Sequence, residues 1–132
     1  MAKKFKFNFK IYYEDTDSGG VVYYANYLKF LERARSETLY SLDFTNLGLL
    51  ENYGILLIVK SCNIEYKKPA KFEDELEIIS EVLTFTKTSF IMKQDIMRKG
   101  EIISVAEIHL VAVDKKGKPK KIPEELKQKL QN

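Results

Sequence analysis

Cysteine, histidine, tryptophan and proline are almost missing from these 132 residues: one Cys, one His, no Trp and three Pro. A lone Cys62 forms no intrachain disulfide, and with His109 as the only other soft ligand a zinc site is not expected. Cys62 sits in an alternating apolar run and reads as a buried small hydrophobe rather than a nucleophile. No apolar run nears the roughly 20 residues that a membrane span needs. The start MAKKFKFNFK has no continuous apolar segment of the signal-peptide kind, so the expected location is cytoplasmic. No window is Gly/Ser-rich, Pro-rich or repetitive, which argues against linkers, repeat arrays and disorder.

What remains is ordinary globular composition, 45% hydrophobic and 31% charged, with a net charge of +3. At this length one domain over residues 1–132 is the economical expectation, large enough to bury a core unaided. Five lysines crowd into Lys115 to Lys121. That run reads as a solvated turn which would also suit a phosphate-bearing or acidic partner. No zinc-finger spacing or RNA-binding signature accompanies it, so no nucleic acid is expected as a partner.

Phe5, Phe7, Phe9 and Ile11 alternate with Lys6, Asn8 and Lys10, the period of a half-buried strand. From Tyr24 to Leu42 the period changes, with Tyr27, Phe30, Leu31, Ala34 and Thr38 on one helical face. Residues 43 to 54 read as a loop with at most a short helical turn. Strands follow at 55–67, 74–86, 88–99 and 101–114, with Lys99-Gly100 as a hairpin signal. Pro123 opens a last short helix to Leu130. The order β, α, β, β, β, β, α predicts an α+β fold, a five-stranded antiparallel sheet covering the apolar stripe of the long helix. Open edge strands favour pairing with a second copy. On that helix, Arg33–Glu37 and Glu32–Arg35 are spaced for surface ion pairs, with Glu32 a reserve catalytic acid.

Residues 12 to 27, YYEDTDSGGVVYYANY, carry the chemistry: three carboxylates, two adjacent glycines and five tyrosines just where the helix begins. A calcium loop started at Asp15 would put Gly19 and Asn26 where ligands are required, so that reading fails. No Gly-Lys-Ser/Thr follows, so a P-loop fails too. Local turn and cap hydrogen bonding from Asp15, Asp17 and Ser18 is the plain alternative. A sharper reading uses the unpaired N–H groups and positive dipole of a helix start to polarise a carbonyl, with a carboxylate beside them to attack it or to activate water. Glycine allows the close approach. Tyr13, Tyr23 and Tyr27 are near enough in sequence to line a pocket.

The pattern Y-x-D-T-D-x-x-G-V-V-Y-x-x-x-Y, then E-R-A-R-S-E, with the Tyr66-x-x-Pro69-Ala70 corner and Asp74-x-Leu76, resembles the hotdog-fold acyl-CoA thioesterases of the 4-hydroxybenzoyl-CoA thioesterase type. It is most similar to the branch encoded with the bacterial Tol-Pal envelope system. The resemblance implies a hotdog fold, hydrolysis of acyl-CoA to acid and CoA, no cofactor, and a homodimer or homotetramer with sites at subunit boundaries. It implies that Asp17 is the catalytic carboxylate and that the backbone N–H of Tyr24 donates to the thioester carbonyl, with Gly20 allowing substrate approach. Lys87, Thr88 and Ser89 match positions near the CoA nucleotide. Many members of the branch have His where this chain has Tyr24, so Asp17 is expected to work without a neighbouring imidazole; His109 reads as a strand residue. The alternative carried alongside is a non-catalytic module binding acyl-CoA or acyl carrier protein. A dehydratase would need a His beside the acid.

Overall fold

Alternation of aromatic and polar residues produces the first strand, β1 (Lys4–Lys10), in the computed structural model, which describes residues 3–131. The long helix α1 (Tyr24–Ser41) buries Tyr27, Phe30, Leu31, Ala34, Thr38 and Leu39, the expected stripe with Leu39 added. Phe30 is 1% exposed and meets Phe9 of β1 with ring centroids 4.8 Å apart. Thr38 is tolerated inside because its hydroxyl donates to Ala34 O at 2.9 Å.

Residues 43 to 54 contain more structure than a loop. A second helix, α2 (Asn46–Tyr53), is bounded by Thr45, whose side chain accepts from Gly48 N, and by Gly54 at φ 69°. These are an N-cap and a left-handed C-terminal glycine. Four strands follow: β2 (Leu56–Tyr66), β3 (Glu75–Phe85), β4 (Ser89–Arg98) and β5 (Glu101–Val113). Lys99 and Gly100, at φ 50° and 80°, make the expected two-residue hairpin. The helix α3 (Glu124–Gln131) closes the chain and buries Leu126 and Leu130.

The strands form one antiparallel sheet in the order β1-β3-β4-β5-β2. Register shifts at Val59/Ser61, Val82/Thr84 and Ile96/Met97 bend the sheet, and its inner row, including Ile78, Phe90, Met92, Ile96 and Ile108, covers α1. This is the sheet-around-helix arrangement expected above. Gln94, wholly buried, ties helix to sheet: its Nε2 donates to Leu31 O at 3.1 Å and to Ser80 Oγ at 3.0 Å.

Two expectations need correction. Cys62 is exposed. Its neighbour across the ladder, Ile108, is buried, but β2 is the last strand of the sheet, with a neighbouring strand on one side alone. Alternation assigns faces without saying which strand is an edge. The helix ion pairs also differ: among the described residues neither Arg33–Glu37 nor Glu32–Arg35 forms, and Arg35 Nη1 instead donates to Gln94 Oε1 at 3.0 Å. Ser36 Oγ donates to Glu32 Oε2 at 3.2 Å.

Candidate active site

After β1 the chain turns through a 3-10 turn at Tyr13–Asp15, and Asp15 builds that turn. Its carboxylate accepts from Tyr12 N at 2.9 Å, and its carbonyl accepts from Asn26 Nδ2 at 2.8 Å. Asp15 is thereby consumed by structure. Asp17 differs: its backbone closes a small loop, N to Val21 O at 2.9 Å and O from Gly20 N at 3.1 Å. One carboxylate oxygen, Oδ1, accepts from Gly19 N at 2.8 Å, and the residue is exposed. Among the described residues Oδ2 has no hydrogen-bond partner, and the side chain stands exposed to solvent. Gly20 sits at φ 81°, a conformation that disfavours any side chain. A Cβ on Gly19 would lie 3.3 Å from Asp17 Oδ1, so glycine there lets the carboxylate settle onto the backbone.

The returning arm reaches α1 directly. Tyr23 is the N-cap residue, and its side chain makes no cap hydrogen bond. The first N–H groups of a helix have no intrahelical acceptor, so those of Tyr24 and Ala25 point outward at the positive end of the helix dipole. Asp17 and Tyr24 line one cavity, and Gly20 lies in the loop that joins them.

A second corner, residues 69 to 74, holds this loop in place. Val22 N donates to Ala70 O at 2.8 Å, Phe72 N to Gly20 O at 3.3 Å, and Val21 bridges to Lys71. The corner is in turn clamped by Arg98 at the end of β4, whose Nη1 donates to Pro69 O at 3.0 Å and to Asp74 Oδ2 at 2.7 Å. From inside, Ala70 N donates to the Tyr27 hydroxyl at 2.9 Å.

Between loop and corner lies a cavity of about 450 Å³, lined by Asp17, Tyr24, Tyr27, Tyr66 and Lys67 among others. Tyr66 packs on Tyr24 and on Tyr27, both at 4.9 Å between ring centroids, and its hydroxyl donates to Tyr24 O at 3.3 Å. Burial raises the phenol pKa of Tyr27 and of Tyr66, so both remain neutral donors and acceptors below pH 10. Tyr23 also lines this cavity, while Tyr13 stands outside it against Phe72.

Lys87, Thr88 and Ser89 are not part of this cavity. They form the β3–β4 turn, where Lys87 O accepts from Ile122 N and Thr88 O from Ala112 N. The corner that holds Asp17 precedes the opposite end of β3, a strand about 33 Å long. His109 lies in β5 opposite Ser61 and Ile91, away from Asp17. Arg98 was not singled out by the sequence, since its partners Pro69 and Asp74 are distant along the chain and no local pattern marks them. Tyr66 was visible only as part of a corner motif.

A curved antiparallel sheet wrapped on one long helix, with a carboxylate loop at that helix's start, is the hotdog architecture. The chain belongs to the thioesterase-like superfamily, whose family model matches residues 12–130. The acyl-CoA thioesterase YbgC of Haemophilus influenzae is 42% identical over 124 residues, covering 93% of this chain and 91% of that protein. The acyl-CoA thioester hydrolase YbgC of Escherichia coli O6:H1 is 37% identical over 92% of each chain. Among solved structures, a probable thioesterase from Bartonella henselae superposes with a TM-score of 0.87 at 30% identity, over 92% of this chain and 100% of that one. A 4-hydroxybenzoyl-CoA thioesterase mutant, complexed with 4-hydroxybenzoyl-CoA, shares the fold with a TM-score of 0.90 at 19% identity, over 98% and 99%. No helix among the described residues is long and apolar enough to cross a membrane.

Proposed function

We propose that the protein hydrolyses acyl-CoA thioesters to the free acid and CoA in the cavity beside Asp17. The observation that carries this reading is the juxtaposition of the Asp17 carboxylate with the uncapped start of α1. The substrate carbonyl oxygen accepts from Tyr24 N–H, and the helix dipole stabilises the negative charge that grows there as the carbonyl carbon becomes tetrahedral. Asp17 either attacks that carbon or takes a proton from the water that does. Collapse expels CoA as a thiolate. After attack by Asp17 it leaves a mixed anhydride, which water then cleaves to free acid and Asp17. After attack by water it gives the acid directly, with Asp17 passing its proton on to solvent. A simple thiol has a pKa of about 8.5, so it leaves without a strong acid and takes up its proton from solvent. Net, water divides between acid and thiol. The curated YbgC relatives, 37% and 42% identical over nearly the whole chain, support acyl-CoA as the substrate class.

The exposed edge of β2, with Ile58 at 45% and Val59 at 47% exposure, suits pairing with a second copy. The working unit proposed is thus a homodimer or a homotetramer with its sites at subunit boundaries. The exposed lysines of the Lys115–Lys121 tract and Lys87 suit CoA phosphates presented across such a boundary, or an acyl carrier protein as a second carrier.

A panel of short, long and aromatic acyl-CoAs tests the reaction, with thiol release as the readout. Steady hydrolysis of at least one class is expected. Tight binding across the panel without any thiol release would replace this reading with that of an acyl-CoA binding module.

A further inference from the structure

The segment from 67 to 74 joins β2 to β3, which are not neighbours in the sheet, so it crosses the end that carries the β4–β5 hairpin. Backbone bonds fix both of its ends. Lys67 N and Lys68 N donate to Ile103 O at 2.9 and 3.1 Å, Glu73 N donates to Ile11 O at 3.0 Å, and Asp74 O accepts from Ile11 N at 2.9 Å. Between these ends, residues 69 to 72 are tied to the body of the protein by side chains. Arg98 Nη1 donates to Pro69 O, the Tyr27 hydroxyl accepts from Ala70 N, and Asp74 Oδ2 accepts from Lys71 N at 2.8 Å.

Those middle residues touch both halves of the candidate site. Ala70 O and Phe72 N hold the loop at Val22 N and Gly20 O, while Ala70 N meets α1 through Tyr27. The position of this corner therefore sets where Asp17 stands relative to the Tyr24 N–H. Arg98 acts on the corner twice from one nitrogen, since Nη1 also donates to Asp74 Oδ2 at 2.7 Å and so orients the carboxylate that holds Lys71 N. Charge strengthens that bond, and a guanidinium keeps its charge at every working pH. Both side chains are only 22% exposed, so salt and water screen the pair weakly. Arg98 itself lies in a separate depression with Glu73, Asp74 and Glu101, not in the Asp17 cavity. Its influence on the site runs through the corner.

We propose that Arg98 is a positioning residue for thioester hydrolysis: through Pro69 and Asp74 it holds the corner where Asp17 and the start of α1 both address one carbonyl. The inference rests on the hydrolase reading. Its signature is a loss of kcat with KM kept, because the binding surface stays while the reacting groups fall out of line. A residue that merely gripped the substrate would raise KM instead. One that merely supported the fold would lower the melting temperature and leave the turnover of folded enzyme unchanged.

The test is steady-state kinetics of wild type, Arg98→Met and Arg98→Lys, below their melting temperatures, on the acyl-CoA that wild type cleaves best. Arg98→Met is expected to lower kcat about a hundredfold with KM within about threefold. Arg98→Lys is expected to regain about tenfold of that loss, because both bonds leave one nitrogen and an ammonium can supply them. Should Arg98→Met fail to fold, Asp74→Asn, which keeps an acceptor for Lys71 N, is expected to show the same split between kcat and KM. A second readout needs no turnover: the carbon-13 carbonyl stretch of an acyl-CoA bound to Asp17→Asn. Adding Arg98→Met is expected to return that band toward the free thioester. A kcat within about threefold of wild type, a loss carried by KM, a lysine that regains nothing, or a band left in place overturns the proposal. If wild type releases no thiol from any acyl-CoA, the hydrolase reading fails and the proposal falls with it. If wild type is active and Arg98→Met equally so, the proposal fails alone and the Asp17 reaction stands.

Discussion

Asp17→Asn is expected to lower acyl-CoA turnover by about a thousandfold, the scale of a positioned acid–base or nucleophilic group, while binding of acyl-CoA persists. The substitution isolates chemistry from architecture. The backbone hydrogen bonds that shape the loop, from Asp17 N to Val21 O and from Gly20 N to Asp17 O, do not involve the side chain. An asparagine carbonyl oxygen can still accept from Gly19 N, which now receives Oδ1 at 2.8 Å. What is lost is a carboxylate able to attack a carbonyl or to deprotonate water. The measurement pairs thiol-release kinetics with calorimetric binding of a slowly hydrolysed acyl-CoA. Turnover within tenfold of wild type would remove Asp17 from the chemistry and bring Glu32, on α1, forward as the acid.

The second large effect falls on the fold. Phe30→Ala is expected to destabilise the protein by about 3–5 kcal/mol, as removal of a fully buried aromatic does. At this chain length that lowers the melting temperature by about 10–20 °C. Phe30 is 1% exposed and packs on Phe9 and Tyr27, so its ring joins β1, α1 and the wall of the Asp17 cavity. The remaining pocket is enclosed by helix backbone and sheet, which collapse only partly around it. Thermal unfolding followed by circular dichroism reads the effect; a shift below about 5 °C would mean that α1 is not the centre of the core.

Much of this was legible in the chain because strand and helix periods are local. Phe5, Phe7 and Phe9 announce β1, and Tyr27, Phe30, Leu31, Ala34 and Thr38 announce α1. The dipeptide Lys99-Gly100 marks its hairpin. The helix α2 was missed because it buries only Leu49 and so carries no apolar stripe; its signals were the caps, Thr45 and Gly54. Sequence alternation placed Cys62 on the inward face, but strand order decides exposure, and β2 is an edge.

The same division holds for the site. Asp17, Gly20 and Tyr24 are neighbours in sequence, and a glycine loop running into a helix start keeps them so in space. The parts that brace them are joined over long intervals: Arg98 to Pro69 and Asp74, and Tyr66 to Tyr24. Arg35 illustrates the converse. Spacing along α1 offered it Glu32, but tertiary packing gave it Gln94 from β4 instead.

The most direct test of where and how the reaction occurs is the infrared spectrum of a thioester carbonyl bound to Asp17→Asn, with carbon-13 at the carbonyl to isolate its stretch. A carbonyl held against the Tyr24 N–H at the start of α1 should absorb at lower frequency than in free acyl-CoA, because the helix dipole and its hydrogen bond weaken the C=O bond. A band unmoved from that of the free thioester, under conditions where calorimetry shows the site filled, would contradict the placement of the substrate carbonyl at that helix.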